Sequence, residues 1–164
     1  MENRIKQSYV AVVAQVVQAV AGVEQHQAAL SLSLVSAEAM KTNLGQLTAG
    51  ETKTKQAKAE LRKRQLALKS AMLAARDFLF IGRDLLKTRL GKTYSSGWDE
   101  AGFRHSLEVP RKEEQVLSVL LALSAYFTRY TAHQNAPLNV TAAHAMTLRN
   151  ALMAARTALN SQMT

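Results

Sequence analysis

TKTKQAKAELRKRQLALKSAMLAARDFLFIGRDLLKTRL, residues 52–90, decides the fold. Within it Leu61, Leu68, Met72, Leu79, Leu86 and Leu90 recur at steps of four or seven, which draws one apolar stripe down a helix. No proline interrupts the run. The spacing predicts a long central helix over about 51–90, and the 39 residues quoted would span about 58 Å at the α-helical rise. A helix of that length needs other helices stacked along it or a second chain over it, because Leu61 and Leu66 outrun any shorter neighbour.

A basic row runs beside the stripe. Lys55, Arg62, Lys69, Arg76 and Arg83 follow one another at seven-residue steps, one position round from the apolar row. Between Lys41 and Lys92 there are 13 Lys and Arg against 4 Asp and Glu, whereas the rest of the chain has 8 of each, so the formal charge of +9 belongs to this segment. Glu51 with Lys55 and Glu60 with Arg64 are spaced to pair along the helix, and Arg76 and Arg83 are placed to meet carboxylates of a neighbour. The cations left over favour an acidic or phosphate-rich partner.

Outward from the long helix, the composition bounds the rest. The 164 residues suit a single helical-bundle domain, 1–164, able to bury a core unaided. Zero cysteines exclude disulfides, thiolate metal sites and thiol nucleophiles, and two prolines with seven glycines leave room for long helices. The first residues carry Arg4 and Lys6 before an apolar run, in the manner of a signal peptide. Gln15 and Gln18 interrupt that run, and Ile5, Tyr9, Val12, Val16 and Val20 form a helical stripe, so the expected location is cytoplasmic, with export as the alternative. No apolar run reaches transmembrane length.

In chain order, a first helix is expected over 4–21, ending near Gly22, with a polar connection at Glu24–Gln27. Leu30, Leu32 and Leu34 alternate with serines as a strand would, yet Leu30, Leu34, Ala37, Met40, Leu44 and Leu47 continue at helical spacing, which favours a second helix. Gly45 and Gly50 mark its end, and Thr48-Ala49-Gly50-Glu51 reads as a capping box that starts the long helix. That helix is polar from Thr52 to Arg64 and core-like from Leu66 onward, with Ala71, Ala74, Ala75 and Gly82 permitting close approach of a neighbour. Gly91 supplies its stop. An irregular segment over 92–110 follows, in which Ser96-Gly97-Trp98-Asp99 suggests a short turn and Trp98 and Phe103, with Leu107 and Val109, fold back as a structural anchor over one end of the bundle. Pro110 opens a fourth helix whose core stripe is Val116, Leu120, Leu123, Phe127 and Tyr130. Asn135-Ala136-Pro137 breaks it, and a last helix runs from about Thr141 to Asn160. The fold expected is all-α, a bundle of about five helices.

Trp98, Ala101-Gly102-Phe103, Pro110, Tyr126-Phe127 and Thr141-Ala142 occur in an order that resembles uncharacterised bacterial helical-bundle proteins over the last 70 residues or so. The resemblance implies a bundle fold and carries no activity and no site residues.

Catalytic and metal motifs do not emerge. The residues three before His26, His105, His133 and His144 are Val23, Gly102, Tyr130 and Thr141, so no Glu-x-x-His pair of a carboxylate-bridged metal site exists. Residues 45–52 have the glycine spacing of a phosphate loop but put Glu51 where a lysine must stand, and Leu86 replaces the first glycine before Gly91-Lys92-Thr93. No cofactor or metal ligand set is therefore assigned. The sequence points to a non-enzymatic scaffold or protein-interaction module, possible self-association included. The alternative is sequence-nonspecific binding of nucleic acid or another polyanion through Lys55, Arg62, Lys63, Arg64 and Lys69, without base stacking, since no aromatic residue lies between Lys53 and Arg76.

Overall fold

The computed structural model describes residues 8–30 and 36–161, and every regular element in them is helical. In chain order these are α1 (Tyr9–Leu30), α2 (Ala37–Leu90), α3 (Gly97–Glu100), α4 (Glu113–Arg129), a single 3-10 turn at Thr131–His133, and α5 (Ala142–Asn160). The fold is an all-α bundle with one long central helix. Ile5, Leu32 and Leu34, and the expected helix start at residue 4, lie outside the described residues. The chain groups into two compact units, residues 1–59 and 60–164.

The long helix begins earlier than the glycines and the Thr48–Glu51 pattern suggest: α2 starts at Ala37 and has 54 residues. The physical reason is local. The hydroxyls of Thr48, Thr52 and Thr54 donate to carbonyls three or four residues back, at 3.0, 3.0 and 2.9 Å, instead of capping free amides. Gly45 and Gly50 cost about 1 kcal/mol each within a helix, which neighbouring turns absorb. The true start signal is Ser36, whose Oγ accepts from the Ala39 amide at 3.1 Å. Ser8 does the same for α1, accepting from Ala11 at 3.3 Å. Gly22 and the Glu24–Gln27 segment, read as a helix end and a connection, are helical.

In the first unit two polar contacts join the helices. Glu24 of α1 pairs with Lys41 of α2. Desolvation, and then a hydrogen bond to Glu51, hold the Tyr9 phenol above its ordinary pKa. Val20 is the buried hydrophobic residue of this unit among those described, while Val10, Val17 and Leu47 are exposed.

The second unit has the core. Ala75, Phe78, Leu79 and Leu86 of α2 pack with Val116, Leu120, Leu123 and Phe127 of α4 and Ala145 and Leu152 of α5. Gly82 permits a close approach of α4, since a methyl group there would meet Leu123 Cδ2 at 3.3 Å. Gly91 ends α2 at φ +93°, a conformation that favours glycine. Trp98 and Phe103 are buried edge-to-face, with centroids 5.6 Å apart, and Val109 is buried beside them. Ser96 makes no side-chain cap, because its own backbone is already helical (φ −56°, ψ −25°) rather than extended as a capping residue needs; the Asp99 carboxylate accepts instead from the Tyr94 hydroxyl at 2.8 Å. Pro110 precedes α4 by three residues rather than opening it, as Lys112 is still extended. After α4, Asn135 and Val140 exchange backbone hydrogen bonds at 2.9 Å, and Thr141 caps α5 by accepting from the His144 amide at 3.1 Å.

Candidate interaction face on the long helix

At 100° per residue, positions seven apart drift only slightly round a helix, so two rows with that spacing coexist on α2. One row faces the core. The other, Leu66, Leu73 and Phe80, lies on the opposite side and is exposed at 58%, 50% and 37%. Leu66, which opens the core-like half of the helix but was also expected to outrun its neighbours, stands in solvent, while Leu68 and Met72 take the inward positions. Ile81 widens the ridge at its far end, with 47% exposure.

The cations border this ridge. Arg62, Lys69, Arg76 and Arg83 each lie three or four residues from a ridge side chain, and so stand next to it on the helix surface. Phe80 lies between two of them: the Arg76 and Arg83 guanidinium carbons are 5.7 and 5.2 Å from its ring centroid. Those stacking contacts fix the Phe80 ring and keep both guanidiniums at the edge of the apolar surface. The other border is acidic at Asp77.

The five residues singled out as polyanion contacts are not equivalent. Lys55 belongs to the first unit, where its Nζ is 2.8 Å from Glu51. Arg64 is half-buried and occupied: it donates to Glu60 at 3.1 Å, to the Ala158 carbonyl at 2.6 Å and to Ser161 at 3.3 Å, fastening α2 to the end of α5. Arg62, Lys63 and Lys69 are exposed and have no carboxylate within ion-pair distance among the described residues. Lys69 also borders a cleft of about 330 Å³ with Met72, Arg111 and Glu113.

Arg76 and Arg83 divide in the same way. Arg83 donates to Asp84 at 2.8 and 3.0 Å and to the Leu107 carbonyl at 3.3 Å, so it braces the 92–110 segment. Lys87 and then Arg83 hold the Asp84 carboxyl below its ordinary pKa. Arg76 has no carboxylate partner among the described residues, and its Nε is buried without an acceptor.

Sequence reasoning found the basic row from its seven-residue repeat but missed the outward ridge. The available signal was the offset of Leu66, Leu73 and Phe80 from Leu68, Leu79 and Leu86, which puts the two sets on opposite sides of one helix. No group of three or more His, Asp or Glu side chains placed to hold a metal ion occurs among the described residues. None of the described helices is long and apolar enough to cross a membrane. Comparison with protein-family models, curated proteins and solved structures finds no match for the chain.

Proposed function

We propose that this protein is a non-enzymatic helical interaction module, and that the face of α2 between Arg62 and Arg83 docks an acidic amphipathic helix of a partner protein. The observation that carries the reading is the exposed Leu66–Leu73–Phe80 ridge with its basic border. Seven-residue spacing over the 14 helical steps from Leu66 to Phe80, about 21 Å of helix, suits a second helix with apolar residues in matching register. Arg62, Lys69 and Arg76 lack carboxylate partners among the described residues, so acidic side chains beside the partner's apolar row complete the surface. A second copy of this chain is less well matched, since it brings its own surplus of cations. Anionic lipid is disfavoured by Asp77 and Asp84 beside the ridge.

The runner-up is polyanion binding, supported by Arg62, Lys63 and Lys69, which are exposed and without carboxylate partners among the described residues. It leaves the apolar ridge without a purpose. The test is a titration of the full chain with a three-heptad helical peptide bearing one leucine ridge flanked by glutamates, beside a scrambled peptide of equal composition and a labelled DNA duplex. The reading requires saturable binding of the patterned peptide, weakened about tenfold or more by Leu73→Ala, as expected for one apolar side chain that no longer becomes buried. Equal binding of the scrambled peptide, or tighter binding of DNA than of peptide at every salt concentration, contradicts it.

A further inference from the structure

The ridge of Leu66, Leu73 and Phe80 has two borders, and α2 charges them differently. Residues four before or three after a ridge side chain lie on one border: Arg62, Lys69, Arg76 and Arg83. Residues three before or four after lie on the other: Lys63, Ser70, Asp77 and Asp84, again at seven-residue steps and all exposed. The first border is cationic throughout. The second runs from a cation at its N-terminal end to two carboxylates at its C-terminal end.

Those two carboxylates differ in what they already hold. Asp84 is shared by Arg83 and Lys87, each at 2.8 Å. Asp77 has no cation within ion-pair distance among the described residues, and Ala74 and Ile81, exposed on the same side, bring none. A docked helix with glutamates on both flanks therefore meets cations along one border and carboxylates at the end of the other. Like charges set across an interface disfavour that arrangement.

We infer that the partner helix is charge-sided, a refinement that rests on the docking reading of the same face. It carries carboxylates along one flank of its apolar row, and lysine or arginine at the end of the other flank that meets Asp77 and Asp84. Turning a helix end for end on this face exchanges its two flanks, so such a partner docks in a single direction. Parallel helices set the four-before row of one against the three-before row of the other, as the g and e positions of a parallel coiled coil do, whereas antiparallel helices set like rows together. A partner whose glutamates lie four before its leucines runs antiparallel to α2. One whose glutamates lie three before them runs parallel.

The experiment compares three peptides, each with three leucines at seven-residue spacing, by fluorescence anisotropy at about 0.15 M salt, where charges more than about 8 Å apart are largely screened. The first has glutamates on the four-before row and lysines on the other flank beside its first leucine. The second has glutamates on the three-before row and lysines on the other flank beside its last leucine. The third has glutamates on both flanks. The first and second should each bind about fivefold or more tighter than the third, the size of two like-charge contacts turned into opposite-charge ones. The net charge of +9 alone would favour the third, which has the most glutamates. Asp77→Lys should abolish the advantage. The chain has no cysteine, so Thr88→Cys, exposed just beyond Asp84, gives an unambiguous disulfide trap. It should capture the first peptide through a cysteine at its N-terminus and the second through one at its C-terminus. If the third peptide binds as tightly as the others, or if both ends are trapped alike, the one-sided partner is overturned while docking of an acidic helix stands. Binding of none of the three removes the docking reading itself, and the charge-sided partner with it.

Discussion

Gly102→Ala puts the packing account to a quantitative test. The residue has φ +88°, where a side chain costs about 1–2 kcal/mol. The added methyl group also meets Ala122 Cβ at 2.8 Å and the Val119 backbone at 3.2 Å, neither of which can swing aside. Overpacking of that kind costs about 1–3 kcal/mol, so the total loss is about 2–5 kcal/mol. Gly82→Ala is the matched control in the same unit. Its methyl group meets the flexible end of Leu123 at 3.3 Å, and alanine is favoured over glycine in a helix by about 1 kcal/mol, so its net change should stay within about 1 kcal/mol of zero. Trp98 emission follows urea unfolding of this unit, with far-ultraviolet circular dichroism in parallel. At a slope of about 2 kcal/mol/M, Gly102→Ala should lower the midpoint by about 1–2.5 M. A midpoint no lower than that of Gly82→Ala would refute the claim that the 92–110 segment is seated directly on α4.

Three further outcomes are expected. Thr141→Ala removes the oxygen that accepts from His144, and should cost about 1 kcal/mol by the same urea assay. Tyr126 is buried, its hydroxyl is 2.7 Å from His133 Nδ1, and desolvation, followed by the nearby Tyr130 and Glu100, raises its pKa above 10.0. The folded state therefore holds that proton more tightly than the unfolded chain, so stability is full below pH about 10 and falls as pH rises past it; Tyr126→Phe should flatten that alkaline slope. Amide hydrogen exchange should be faster through residues 8–30 and 36–59, where Val20 is the buried hydrophobic residue among those described, than through the α4 core around Leu120 and Leu123.

The long helix was legible in sequence because two consistent rows at steps of four and seven run through it without a proline. Its stop at Gly91 was legible because glycine suits the left-handed conformation a helix end needs, and the start of the last helix near Thr141 was legible from its spacing, although the Thr141 cap itself appears only in the structure. Its start was not. Thr48, Gly50 and Glu51 imitate a cap, and only the threonine back-bonding and the Ser36 cap separate imitation from the real one. The basic row was visible in the heptad of cations, but its division into free and occupied members was not. Arg64 is spent on Glu60 and Ala158, which lies 94 positions away in the chain. Core and ridge share a period, so periodicity finds both rows without saying which one faces inward; burial decides it.

The most direct test of the interaction face is a charge swap. Arg62→Glu, Lys69→Glu and Arg76→Glu together should lose the glutamate-flanked peptide and gain its lysine-flanked counterpart, while the unaltered chain shows the reverse preference, each by fluorescence anisotropy at low salt. If both proteins bind both peptides alike, or if Leu66→Ala and Phe80→Ala leave the affinities unchanged, the outward face of α2 is not a docking surface.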